Sequence, residues 1–220
     1  PCPDPLASPC GYQVSDEWMA LLRKSIENGN GHWYAWYQLG VMLAYRNQRD
    51  EARHAFEMSL QQQKSPWALR CLAVLDRMAG DLASAAGRML EAVAMRAQRN
   101  LAIEALETLV AAEQYDKVEG VAASLPAGIR RLGRVKVLRT KALLETGKLS
   151  AAERILRGNI GLTDVREGEI SLSNLWFRLQ ELKQAEREEE RKVYRLLTSL
   201  LLQELPQAKA AWNFLVQLDL

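Results

Sequence analysis

Cysteine is scarce: three in 220 residues, at Cys2, Cys10 and Cys71. Their spacings match no zinc or thiol-redox motif. Cys2 and Cys10 could bridge in an oxidising compartment; the reading adopted is two free thiols in a loose tail. Cys71 falls in a helical apolar pattern and reads as buried packing. Histidine is rarer, with His32 and His54 alone. Asp50 lies one helical turn before His54, but two ligands make a poor metal site, so no metal and no cofactor are expected. Proline is confined: four of seven fall in the first nine residues, which excludes a helix there. No apolar run reaches the roughly 18 residues of a membrane span, and no secretory signal opens the chain. A cytoplasmic protein without a membrane partner is expected. The first residue is Pro1, which suits a processed product or a piece of a longer protein. Charge of one sign is also missing: 29 Lys and Arg against 27 Asp and Glu leave +2, too balanced to imply nucleic acid. What remains, 48% apolar and 25% charged residues, is a core-forming composition.

Aromatics are few and unevenly placed. Of 15 Phe, Trp and Tyr residues, four fall within five positions: Trp33, Tyr34, Trp36 and Tyr37. Around them the chain repeats itself. Residues 45–56, 77–89, 111–122 and 145–156 align as helix–turn–helix junctions. The small or β-branched residue after each turn is Ala52, Ala85, Val118 and Ala152, at intervals of 33, 33 and 34. In the first repeat Trp36, Leu39, Gly40, Ala52 and Phe56 match in order the W, L, G, A and F positions of the tetratricopeptide repeat, which this pattern resembles. Gly40 and Ala52 let antiparallel helices approach, while Trp36, Leu39 and Phe56 fill the space between turns. The fourth repeat departs, with Arg139 and Thr140 where Leu and Gly or Ala are usual. The expected fold is therefore all-α: a right-handed α-solenoid of tetratricopeptide-like helix pairs with a C-terminal helical cap.

The expected organisation is an extended Pro-rich tail (1–14), a half-repeat (15–31), repeats near 33–65, 66–98, 99–132 and 133–165, and capping helices (166–220). Ser15 reads as the N-cap of the half-repeat helix, with Met19, Leu22 and Ile26 at core spacing. At the other end Leu196, Leu197, Leu200, Leu201 and Leu205 form an apolar stripe stopped by Pro206. An open repeat stack needs a cap over its last apolar face. The stripe and residues 210–218 are expected to supply it, with a homodimer through the same helices as the rival account.

A second resemblance covers most of residues 8–177. SPCGY (8–12), HWYAWYQLGVML (32–43), SPWALRCLAVL (65–75), GRVKVL (133–138), and REGE followed by SLxxLWF before residue 178 carry it. The combination resembles the C-terminal helical-repeat region of large bacterial proteins of uncharacterised function, whose upstream part is a β-rich domain of carbohydrate-enzyme type. The resemblance implies a non-catalytic accessory module of a larger sugar-related protein, with an upstream domain of the same polypeptide as one partner.

In tetratricopeptide arrays the second, fifth, ninth, twelfth and thirteenth positions of each first helix line a groove. In the first repeat these are Tyr34, Tyr37, Val41, Ala44 and Tyr45; in the second, Trp67, Arg70, Val74, Arg77 and Met78. Trp36 then belongs to the core. Tyr34, Tyr37, Tyr45 and Trp67 read as binding anchors, and Arg70 and Arg77 as charge clamps, because Tyr, Trp and Arg dominate binding hot spots. The expected function is a protein-interaction scaffold holding a peptide or sister domain; a small-molecule or sugar binder is a further alternative, since aromatic faces stack on sugar rings. Whether the groove is open, covered by the chain's own tail or simply packed stays undecided at this level. Arg130, Arg131, Arg134, Lys136, Arg139 and Lys141 form a basic run, read as a solvated face with Arg130, Arg131, Arg134 and Lys141 as a secondary patch. It has no interleaved aromatics, so no nucleic acid is expected. Arg166, Glu167 and Glu169 form a loop cluster that does not supply two opposed carboxylates. No independent enzyme is expected.

Overall fold

The structure is a computed structural model that describes residues 3–9, 11–162 and 171–204. Cys2, Cys10, Arg166, Glu167, Glu169 and the segment 210–218 lie outside the described residues, as do the side chains of Leu201 and Leu205. Every regular element described is helical. A first helix, α1 (Asp16–Ser25), runs into a π-helical turn (Ile26–Asn30). Four pairs follow: α2 (Trp33–Tyr45) with α3 (Arg49–Gln62), α4 (Pro66–Met78) with α5 (Leu82–Met95), α6 (Arg99–Ala111) with α7 (Tyr115–Ser124), and, after the short α8 (Ala127–Arg130), α9 (Gly133–Glu145) with α10 (Leu149–Leu156). The last element, α11 (Ser171–Glu204), is a single helix of 34 residues. Neighbouring pairs pack in sequence order, which makes the fold an α-solenoid.

The repeat is written into the backbone as well as the core. Ala52, Ala85, Val118 and Ala152 are all wholly buried where the two helices of each pair meet. Between the helices of each pair one residue turns into the left-handed region: Asn47 (φ 61°), Gly80 (φ 83°), Glu113 (φ 56°) and Gly147 (φ 70°). Those positions keep the same spacing as the buried small residues. Gly40 shows why the first pair needs a glycine: a Cβ there would sit 2.6 Å from the Phe56 ring. In the fourth pair Thr140 takes the close-packing place, wholly buried, with its hydroxyl donating to the Lys136 carbonyl at 2.8 Å. Arg139 turns away and forms a two-pronged pair with Glu119 of α7, at 2.7 and 2.9 Å. The departure of the fourth repeat is therefore absorbed without losing the helix pair.

Caps and ion pairs fix the joints. Ser15 Oγ accepts from the Trp18 N–H, Ser65 Oγ from Trp67 and Asp81 from Ser84, each satisfying an orphan amide of a first turn. Buried Asp76 of α4 bridges Arg53 of α3 and Arg88 of α5, at 2.7 Å to each. The two ends differ from the expectation in detail. No residue of α1 is fully buried; Met19, Leu22 and Ile26 lean on the first pair. At the far end, among the described residues, Leu175, Leu179 and Leu182 from the beginning of α11 cover the last repeat. Leu196, Leu197 and Leu200 are exposed.

Candidate functional site

The expected groove positions of α2 and α4 gather on one face. Tyr34, Tyr37, Val41 and Ala44 pack in one apolar cluster, and Arg70 and Val74 meet Val41 and Ala44 at one cleft. Tyr34 and Tyr37 stack with ring centres 6.1 Å apart, and Trp33 meets Tyr34 edge-on at 5.4 Å. Gln38 donates to the Tyr34 hydroxyl at 2.7 Å.

Across this face runs the N-terminal segment. It makes a turn at Asp4, whose carbonyl accepts from the Ala7 N–H at 2.9 Å. Ser65 donates to the Pro5 carbonyl (3.3 Å), Ser8 donates to Gln98 at the start of α6 (3.2 Å), and the Tyr12 and Tyr37 hydroxyls meet at 3.0 Å. Arg46, closing α2, donates to the Val14 carbonyl at 3.0 Å and pairs with Asp16. Of the three readings left undecided by the sequence, the structure displays a face partly covered by the chain's own tail.

Three residues depart from expectation. Tyr37 is expected as a groove anchor and Trp36 as core. Tyr37 is 2% exposed, wedged between Tyr34, Phe56 and Tyr12, whereas Trp36 is only half-buried. The cause is the end of the array: Trp36 points to the side where α1 gives thin cover, and its ring meets His54 edge-on. Burial raises the Tyr37 pKa well above the phenol range, the nearby Cys71 and the Tyr12 hydroxyl adding to it. Arg70 is expected as a charge clamp for a partner. It is ion-paired with Glu104 of α6. Burial works against its charge and the Glu104 carboxylate more than offsets this, so its pKa is raised. The sequence held a sign of this pair, opposite charges about one repeat apart.

Tyr45, Arg77 and Met78 are exposed at the C-terminal rim of α2 and α4. Between rim and tail lies a cleft of about 310 Å³. Val41, Ala44, Cys71 and Val74 line its apolar part, Arg49 and Arg70 its polar edge, and Tyr12 borders it. Burial pushes the Cys71 thiol up to about 11, with the Arg70 charge pulling the other way. Trp67 is half-buried, and its indole N–H is enclosed with no acceptor among the described residues.

The basic run divides. Arg130 is tied to the Ala123 carbonyl, Lys136 to the Asn159 carbonyl at 2.6 Å, and Arg139 to Glu119. Arg131, Arg134 and Lys136 join Arg99 around a second cavity of about 310 Å³ at the start of α9. Lys141 is exposed and does not line it. Among the described residues no three His, Cys, Asp or Glu side chains gather as a metal set, and no helix is long and apolar enough to cross a membrane.

No family model and no curated protein matches the sequence. Among solved structures, Naa15 in the structure of Naa15/Naa10 bound to HypK-THB matches with a TM-score of 0.51 and 19% identity. The match covers 84% of this chain and 29% of that one. At this identity the likeness speaks for the fold alone. The chain is thus an α-solenoid of tetratricopeptide-like helix pairs, similar in architecture to a part of the helical-repeat protein Naa15.

Proposed function

We propose that the chain is a non-catalytic protein-interaction scaffold whose groove face holds an extended peptide segment. The observation that carries this is the N-terminal segment itself. A non-helical stretch already lies on the face, accepting a hydrogen bond from Ser65, sharing one between the Tyr12 and Tyr37 hydroxyls, and setting an aromatic ring beside the apolar cleft. The same features suit a peptide from a partner or from a sister domain: apolar floor, exposed Tyr45 and Met78, and a cationic Arg77 at the rim. Naa15 is seen in complex with Naa10 and HypK-THB, which agrees with a scaffold role for this architecture. Sugar stacking is less favoured, because Tyr34 and Tyr37 turn their ring faces to each other. Catalysis is not favoured either: the gathered groups are phenols, an indole, an ion-paired arginine and a thiol held protonated at neutral pH.

The test is selection of extended peptides from a displayed library on the purified chain. Binders are expected, and exposed Met78→Glu should weaken them at least tenfold while the helical circular dichroism spectrum is retained. Failure to select any peptide sensitive to Met78→Glu removes the groove face as the binding site.

A further inference from the structure

The N-terminal segment covers the groove face without filling it. Of residues 3–9 and 11–14 none is fully buried, and beyond Pro5, Pro9 and Val14 all are exposed, Leu6 the least of the large apolar ones at 37%. Tyr12, the ring that reaches deepest, is still 48% exposed. Beside it the cleft of about 310 Å³ stands open. On the same face the Trp67 indole N–H is enclosed and has no acceptor among the described residues, although the segment passes Ser65, two residues away. An enclosed donor without an acceptor is a standing penalty that a better-matched occupant would relieve.

We propose that this segment is an exchangeable occupant, displaced by a proline-containing extended peptide from another molecule or domain. The incoming peptide places a tyrosine where Tyr12 lies, seats a second apolar side chain in the open cleft, and offers a main-chain carbonyl to the Trp67 indole N–H. This rests on the reading of the groove face as a peptide site. Proline suits the occupant because it is pre-set in an extended conformation and surrenders little entropy on docking. Tyrosine suits it because its hydroxyl can meet the buried Tyr37 hydroxyl as that of Tyr12 does, at 3.0 Å. The tethered segment competes at a high effective concentration, so the incoming peptide must gain what the segment leaves unused: the cleft and the indole donor.

The experiment is fluorescence anisotropy on the full chain with two probes. One is a labelled synthetic peptide with the sequence of residues 3–14; the other is a library-selected peptide that depends on Met78. Tyr12→Ala should bind both probes at least tenfold more tightly than the unmodified chain, and Tyr12→Phe should fall between. Trp67→Phe should weaken the selected peptide severalfold more than the tail peptide, which leaves the indole without an acceptor. If the selected peptide binds the unmodified chain and Tyr12→Ala equally, the exchange is overturned and the groove reading stands. If no Met78-dependent peptide is selected on either protein, the groove reading falls and takes the exchange with it.

Discussion

The front of the array, α2 to α5, and its rear, α6 to α10, use one scaffold for two different faces. Their interiors agree position by position, with Ala52 and Ala85 in front and Val118 and Ala152 behind, all wholly buried. Their groove faces do not agree. The buried place of Tyr37 becomes half-exposed Arg70 one repeat on and half-buried Ile103 after that. The front face is aromatic and overlain by the tail; the rear face opens on a cavity edged by Arg99, Arg131, Arg134 and Lys136. In this molecule architecture and recognition reside in separate residue sets, so each can be altered while the other is watched.

The largest effect expected from breaking that comparison is at Tyr37. Tyr37→Ala removes a fully buried ring and should cost about 3–5 kcal/mol in chemical denaturation. Ile103→Ala, its rear counterpart, should cost clearly less because Ile103 keeps solvent contact, and Trp36→Ala less as well. Equal losses at Tyr37 and Ile103 would erase the front–rear distinction. Next comes Gly40→Leu, which forces a side chain against Phe56 and should cost about 1–3 kcal/mol, the usual range for overpacking. Gly120→Ala in α7 meets nothing within 4 Å and should instead stabilise by roughly 0.4–1 kcal/mol. A stabilising shift from Gly40→Leu would show that the Gly40–Phe56 contact does not limit the approach of α2 and α3.

Smaller still is the turn series. Glu113 holds a left-handed conformation that Gly80 adopts freely one repeat earlier. Glu113→Gly should therefore gain about 1 kcal/mol and Gly80→Ala lose a similar amount in paired thermal melts. The smallest effect is at Cys71, in the front face. Its folded pKa is raised, so the protonated thiol is favoured by folding. That contribution is present below the ordinary thiol value of 9.0 and is lost as pH rises from there through about 11. Cys71→Ala should thus show a shallower fall in stability between pH 8 and 11 than the unmodified chain; parallel curves would remove Cys71 from the titrating groups.

The repeats were legible because they are local and periodic. Ala52, Ala85, Val118 and Ala152 declare the register, and Gly40 with Phe56 declares the helix contact, all within the reach of one helix pair. The groove was legible only in outline. Tyr12 and Tyr37 are 25 residues apart and Ser8 and Gln98 are 90 apart. A Pro-rich segment carries no period that would reveal where it docks. The exchange of roles between Trp36 and Tyr37 has a related cause. Adjacent residues on a helix differ by about 100° in direction, so the neighbours beyond the helix decide which one is enclosed. Here those neighbours are α1, the helix of the half-repeat, and the tail, neither part of a complete helix pair. Arg70 was misjudged for the same reason, its partner Glu104 belonging to the next helix pair.

The last helix has a thermodynamic consequence of its own. Leu175, Leu179 and Leu182 fasten the beginning of α11 to the final pair, and Lys183 adds an ion pair to Glu153. From residue 184 to 200 every side chain is exposed apart from half-buried Thr198. At 1.5 Å per residue the 34-residue helix is about 51 Å long. Among the described residues its outer part draws on propensity and i,i+3 pairs such as Lys192 with Glu189, with packing confined to the helix's beginning. Unpacked helix opens more readily than packed helix. Amide hydrogen exchange along α11 should therefore form a gradient, slowest near Leu179 and quickest toward Glu204, and on heating this helix should shorten gradually before the repeats unfold together.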